Sequence, residues 1–121
     1  MPHVIVEYSN NITTLNTQCL LSSLNQHLID TGLIQAQDLK SRIHTNNDFL
    51  IGLGDQSQAY IHVHLYLMQG RTDVQKALLA DQALAALTQF QDYQATDLAV
   101  QLSVQLTEMP LPDYRKQVLQ H

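Results

Sequence analysis

The strongest restriction on the fold comes from one strictly alternating segment, Ala59 to Met68. Apolar and polar side chains alternate along it, which is typical of a β-strand with one face against a core. The two faces are Ile61, Val63, Leu65, Leu67 and, opposite them, Tyr60, His62, His64, Tyr66. We therefore expect a sheet of which one face is covered by other elements of the chain.

Three further segments have strand character because they are rich in β-branched residues or alternate in the same way. The predicted strands run from Pro2 to Ser9, from Lys40 to His44 and from Leu98 to Thr107. Between two of them, Phe49 to Gln58 contains two glycines and indicates a loop with an apolar tip.

Two segments change to helical spacing, with apolar residues three or four positions apart. They predict helices over residues 13–30 and 74–91, with Gly32 stopping the first and Thr72 capping the second. Cys19 falls on the leucine side of the first helix, which indicates a core position rather than a nucleophile. The tail to His121 is a candidate for one more short helix.

The resulting order is β-α-β-β-α-β in a chain of 121 residues, 45% of them apolar. This composition predicts one α+β domain over residues 1–121 with a substantial core. Two architectures share the order: a ferredoxin-like split βαβ fold, and a fused pair of βαβ units. Periodicity alone does not separate them.

Composition excludes several classes of protein. A net charge of −5 argues against nucleic-acid binding, because a phosphate backbone requires a basic surface. The single cysteine excludes a disulfide framework and suits a reducing compartment. Apolar runs are too short for a membrane span, and the N-terminus lacks a signal-peptide core. We expect a cytoplasmic protein without a membrane or nucleic-acid partner.

The polar face of the predicted sheet carries no charged side chain. It consists of Tyr60, His62, His64, Tyr66, Gln101, Ser103, Gln105 and Thr107. A face left in water usually recruits charge, so uncharged hydrogen-bonding side chains favour burial against another subunit. The alternative is an ordinary hydrated face in a glutamine-rich protein.

Cations are scarce and clustered. Before Arg71 the chain has only Lys40 and Arg42, whose spacing on a strand places both on one face. Arg71 precedes the second helix, whose N-terminus also favours an anion. The three predict a site for an anionic small molecule, although pairing with nearby carboxylates is the alternative. At such a site we expect loss of Arg71 to affect turnover more than stability.

Two other groups are weaker candidates. His62 and His64 project together from a strand and could bind zinc, but nothing completes a ligand set, which favours structural or interface histidines. Phe49 is equally well explained as a wall of a binding pocket or as a loop anchor. We therefore predict no metal site.

Pro2 follows the initiator methionine directly. If Met1 is removed, Pro2 carries a free secondary amine, and burial and nearby cations lower the pKa of such an amine. A neutral amine at physiological pH can act as a base. A Met-Pro start is also common and can be without meaning.

The N-terminal half resembles the 5-carboxymethyl-2-hydroxymuconate isomerase family of the tautomerase superfamily. The resemblance rests on Pro2 to Ile12, Thr31-Gly32, Lys40 to His44, Tyr60 to Val63 and Gly70-Arg71. It implies two βαβ units in one four-stranded sheet, with two helices on one face, assembled as a homotrimer.

The resemblance also implies a function. The family isomerises an unsaturated, carboxylate-rich hydroxymuconate from the breakdown of aromatic acids, without a cofactor. Carried over, Pro2 is the catalytic proton shuttle, and Lys40, Arg42 and Arg71 bind substrate carboxylates, with Phe49 as a pocket wall. Lys40 departs from the family's arginine and lacks its bidentate geometry. The alternative function is a ligand-binding or oligomerisation module of ferredoxin-like fold that is not an enzyme.

Overall fold

The computed structural model describes residues 1–121. Its strands are β1 (His3–Ser9), β2 (Lys40–Asn46), β3 (Gln58–Met68) and β4 (Ala99–Met109). Its helices are α1 (Thr17–Ile29) and α2 (Asp73–Gln89), with short 3-10 turns at Ala36–Asp38 and Leu111–Asp113. Every predicted strand and both predicted helices are present, with boundaries that differ at several ends.

The four strands form one sheet in the order β2-β1-β3-β4. β1 is parallel to β2, β3 is parallel to β4, and the two central strands β1 and β3 are antiparallel. Each helix therefore joins two parallel neighbours, and two complete βαβ units lie side by side. The prediction of fused βαβ units is confirmed, and the ferredoxin-like alternative, which interleaves its strands, is wrong.

A single apolar core lies between the helices and one face of the sheet. It contains 17 buried residues, among them Leu20, Leu24 and Leu28 of α1 and Ile61, Val63 and Leu65 of β3. Ala83 and Ala86 of α2 are fully buried, and such small side chains let the helix pack closely. Each fully buried leucine or isoleucine contributes about 1.5–3 kcal/mol to the free energy of folding. On β1 and β3 the side chains of this face of the sheet are closed to solvent.

Helix α1 begins four residues later than the periodicity indicates. Thr13 exchanges two backbone hydrogen bonds of 2.8 Å with Gln94, and Thr14 has a φ of 53°, so neither residue is helical. Asn16 then caps the helix, its side chain accepting a bond of 3.2 Å from the Cys19 backbone N–H. A long-range bridge therefore holds residues that could locally have continued the helix.

The prediction that Cys19 belongs to the core is wrong. Its side chain is exposed, whereas Leu20, Leu24 and Leu28 are fully buried. The three leucines are spaced four residues apart and share one face of the helix. Cys19 precedes Leu24 by five residues and falls beside that face. Cys19 lies on the solvent side of α1.

The predicted C-terminal helix is also wrong. Only the 3-10 turn Leu111–Asp113 forms, and residues 114–121 have no regular structure. Pro110 precedes the turn and Pro112 lies within it, and neither residue has a backbone N–H to donate to a helix. No helix of the protein is long and apolar enough to cross a membrane.

Candidate active site

A groove of about 330 Å³ lies at the end of the sheet where β1 begins. Strand register brings its parts together: His3 of β1 is opposite Tyr66 of β3 and Lys40 of β2. The lining residues are Met1, His3, Ile5, Arg42, Tyr66, Met109 and Tyr114. All four strands and the C-terminal segment thus contribute, although they are far apart in sequence.

Pro2 lies at this end of β1 and is buried. Its carbonyl accepts a hydrogen bond of 3.2 Å from the backbone N–H of Lys40, which continues the parallel pairing of β1 and β2. In the chain that carries Met1, the Pro2 nitrogen is a tertiary amide without a proton. The bond to Lys40 therefore holds the residue in place whichever form its nitrogen takes.

The N-terminal amine of Met1 lies 3.3 Å from the hydroxyl of Tyr114. Partial burial, with Lys40 and Lys116 as nearby positive charges, lowers the pKa of this amine below its usual range, while Asp38 opposes the effect. The same physical causes lower the pKa of His3, with burial first and the N-terminus and Arg42 next. The surroundings at the start of β1 therefore disfavour the protonated forms of both the terminal amine and His3.

Lys40 and Arg42 lie on one face of β2, as predicted. Arg42 Nη1 is 3.5 Å from Nδ1 of His3, and Lys40 Nζ donates a bond of 3.0 Å to the Asp38 carbonyl. Both side chains are exposed. The structure therefore brings Pro2, Lys40 and Arg42 to one end of the sheet and leaves both cations accessible to an anion.

Arg71 lies near the same end of the sheet, just beyond β3, but it does not line the groove. Its Nη2 donates to the Leu33 carbonyl at 3.1 Å, and its Nη1 to that of Met68 at 3.5 Å. The guanidinium thus ties the loop after α1 to the end of β3. This contact gives Arg71 a structural role that the sequence does not predict.

We predict that Arg71→Ala lowers the free energy of unfolding by about 1 kcal/mol, because a hydrogen bond across 38 residues is lost. Urea denaturation measures the change. Arg115→Ala is the matched control, since Arg115 donates only to the carbonyls of Pro112 and Tyr114 beside it. Equal midpoints for Arg71→Ala and the unmodified protein would contradict the structural role.

Phe49 lies at the opposite end of the sheet from Pro2. Its ring contacts that of Tyr60 edge-on, with centroids 5.9 Å apart. It lines a separate cavity of about 490 Å³, together with Asn11, Leu50 and Ile51 among others. Within one chain, Phe49 therefore does not lie with Pro2 and the cations of β2.

The face of the sheet that no helix covers is only partly free of charge. On β3 and β4 the description holds: His62 Nδ1 is 2.7 Å from the Ser103 hydroxyl, and His64 Nε2 is 2.7 Å from that of Thr107. The register adds Glu7, Lys40 and Arg42 to the same face, on β1 and β2. The sequence-based description of an uncharged face is thus correct for one half of the sheet only.

The histidines on this face are held by hydroxyl and aromatic neighbours. The His64 ring stacks on Tyr66 with centroids 4.0 Å apart and planes 10° from parallel. Burial lowers the pKa of His64, and His62 adds to the effect while Glu7 opposes it. No group of three or more His, Cys, Asp or Glu side chains converges here or elsewhere in the chain.

Sequence reasoning missed several residues of the groove. The sequence pattern indicates only an interface role for Tyr66 and gives no signal for Met109 and Tyr114, which line the groove. The local pattern also indicates no role for Lys116, whose charge acts on the N-terminal amine. Their proximity to Pro2 arises from the pairing of β3 with β4 and from the path of the chain after Pro110, neither of which a local pattern reveals. The scarcity of cations could have pointed to Lys116.

Solved structures of other proteins share the fold of this chain. A 5-carboxymethyl-2-hydroxymuconate isomerase from Deinococcus radiodurans R1 superposes with a TM-score of 0.83 at 21% identity, covering 96% of this chain and 88% of that one. A 5-carboxymethyl-2-hydroxymuconate delta-isomerase gives 0.75 at 16% identity, with 98% and 88% covered. A fused 4-OT symmetric trimer gives 0.70 at 19% identity, with 89% and 85% covered.

Two βαβ units side by side, with these neighbours, define the fold of the tautomerase superfamily. Within it, the chain belongs to the 5-carboxymethyl-2-hydroxymuconate isomerase family, whose sequence profile matches residues 2–120. No curated protein matches the chain significantly by sequence. Family membership places the chain among the isomerases of the superfamily.

Proposed function

We propose that the protein, after loss of Met1, isomerises an unsaturated hydroxy-carboxylate such as 5-carboxymethyl-2-hydroxymuconate. The observation that carries the proposal is geometric: the chain's N-terminus lies in a groove beside Arg42, where partial burial and the charges of Lys40 and Lys116 also lower the pKa of the terminal amine. A Pro2 amine would lie one residue away from that position. Similar surroundings would keep it neutral and basic near pH 7.

The proposed reaction is an internal proton transfer. The Pro2 nitrogen takes the proton of the 2-hydroxyl group, and a proton returns from it to a distant carbon of the dienol, which gives the keto isomer. Atoms and electrons balance within the substrate, so neither an oxidant nor a reductant is required. This reaction needs a nitrogen base next to cations that bind the substrate, which is the proposed role of Pro2 beside Lys40 and Arg42.

Lys40 and Arg42 are proposed to bind substrate carboxylates, because both are exposed beside the groove and have no carboxylate partner. Arg42 can engage a carboxylate through two parallel bonds, whereas Lys40 acts as a point charge. Substrates of the family carry several carboxylates, which matches more than one cation. The pair would hold the substrate chain along β2 with its hydroxyl toward Pro2.

Arg71 and Phe49 are also proposed to contact the substrate, although neither lines the groove of the single chain. Arg71 uses two of its five N–H groups on backbone carbonyls and keeps others for an anion. Phe49 could reach a groove only from another subunit, because in its own chain it lies at the far end of the sheet.

A homotrimer follows as part of the proposal. A symmetric trimer is among the structures of the same fold, and the uncovered half-sheet of β3 and β4 carries hydrogen-bonding side chains without charge. Association through this face would bury His62 and His64. It would also bring the loop of one subunit toward the groove of another.

Isomerisation of 5-carboxymethyl-2-hydroxymuconate by Met1-free protein is the direct test, followed by ultraviolet absorbance. We predict that Arg42→Ala lowers kcat/KM by about 10- to 150-fold, since a hydrogen bond to a charged group is worth about 1.5–3 kcal/mol. Arg42→Lys should recover part of this loss.

Lys76→Ala is the matched control for removal of a positive charge. Lys76 pairs with Glu108 and Asp73 on the helix side and does not line the groove. Its kcat/KM should stay within a few-fold of the unmodified value. Absence of any isomerisation by the unmodified, Met1-free protein would overturn the proposed function.

A further inference from the structure

Tyr114 reaches the groove from a segment outside the sheet. Its hydroxyl is 3.3 Å from the N-terminal nitrogen and 3.4 Å from Nε2 of His3. Its ring meets the His3 ring at 66°, with centroids 6.4 Å apart. The segment is anchored upstream, where the backbone N–H of Leu111 donates a bond of 2.8 Å to Gln69 Oε1. The phenol is therefore held in the groove by defined contacts.

The direction of each hydrogen bond can be assigned from the groups that are able only to donate. Arg42 can only donate, so we assign Nδ1 of His3, 3.5 Å from Arg42 Nη1, as the unprotonated ring nitrogen. Neutral His3 then carries its proton on Nε2 and donates to the Tyr114 oxygen. In the chain that carries Met1, the N-terminal amine is also 3.3 Å from that oxygen, and loss of Met1 leaves the contact with His3 in place.

The contact with His3, which does not depend on Met1, thus uses the Tyr114 oxygen as acceptor. Its own hydrogen has no partner among the protein groups around it. Since Tyr114 lines the groove, this hydrogen is available to a molecule bound there. An acceptor atom bound in the groove would give the Tyr114 hydroxyl hydrogen its partner.

We propose that the Tyr114 hydroxyl donates a hydrogen bond to a carboxylate oxygen of the bound substrate, as a further binding residue of this site. The inference rests on the proposed function and extends its list of carboxylate-binding groups. It adds a neutral, oriented donor to the charges of Lys40 and Arg42. Atoms of the reacting bond are not involved.

The charge around the groove favours a carboxylate as the acceptor. Arg42 lines it, and Lys40 and Lys116 act on its N-terminal amine as positive charges. Asp38, the anion that acts on this amine, is 3.8 Å from Lys116 and paired with it. A cationic ligand would be repelled, and a neutral one would leave these charges unmatched.

The test is binding of cis,cis-muconate, a stable unsaturated dicarboxylate, to Met1-free protein by isothermal calorimetry. Tyr114→Phe removes only the hydroxyl and keeps the ring contact with His3. We expect its dissociation constant for muconate to rise about tenfold or more. Tyr93→Phe is the matched control, because Tyr93 stacks on Phe90 away from the groove. It should bind like the unmodified protein.

The inference is overturned if Tyr114→Phe binds muconate as tightly as Tyr93→Phe, or if the unmodified protein does not bind muconate. Nuclear magnetic resonance spectra of both variants check that the fold is retained, and a shift of the His3 ring signals in Tyr114→Phe alone is expected. Tyr114-dependent binding without isomerisation of a hydroxymuconate would remove the proposed function and leave this inference standing.

Discussion

Removal of Met1 is expected to raise the isomerisation rate by at least about 100-fold, the lower end of what a positioned general base contributes. With Met1 attached, the Pro2 nitrogen is an amide and has no basic lone pair. Met1 also lines the groove, where it would compete with substrate for the same space. The two forms can be prepared as fusions that a protease cleaves before Met1 or before Pro2, and mass spectrometry verifies each.

The pH dependence gives the same prediction a second readout. Burial and the positive charges of Lys40 and Lys116 lower the pKa of the N-terminal amine. The same surroundings should lower the pKa of the Pro2 amine in the Met1-free form. A base must be unprotonated to act, so kcat/KM of that form should rise with pH through the pKa of Pro2 and then level off. The midpoint should lie below about 7.7–8.0, the range of an unperturbed α-amino group. Equal rates for the two forms would exclude Pro2 as the base.

Much of the fold could be predicted from the sequence because its signals are local. Alternation identifies β3 and β4, and a capping box at Thr72 and Gln75 marks the start of α2. The start of α1 was missed because a bridge between Thr13 and Gln94, distant in sequence, overrides local helical spacing. Strand order also required either the structure or a family resemblance, because both candidate architectures have the same element order.

The candidate site was less predictable because it depends on register. Spacing on one strand was enough to put Lys40 and Arg42 together. It could not show that Glu7 shares their face, that Arg71 binds carbonyls, or that Tyr114 returns to the N-terminus. Each of these depends on contacts between segments far apart in the chain. The chemistry of individual residues was visible in the sequence, but their neighbours were not.

Gln105→Lys is expected to convert the proposed trimer into monomers at micromolar concentration. Gln105 is exposed on β4 opposite His64, on the face proposed to lie between subunits. In a monomer the new ammonium group stays in water, so the fold of the single chain is unaffected. In the trimer it would be buried beside a histidine that cannot neutralise it, at a cost of several kcal/mol.

Threefold symmetry repeats that cost in every subunit, giving on the order of 10 kcal/mol for the assembly. Gln89→Lys is the matched control, because Gln89 is exposed at the end of α2 in the helical layer and faces away from the proposed interface. Sedimentation velocity should give a trimer for the unmodified protein and for Gln89→Lys, and a monomer for Gln105→Lys. A Gln105→Lys trimer as stable as the control would mean that subunits meet through another surface. Phe49 would then have no route to a neighbouring groove by the arrangement proposed above.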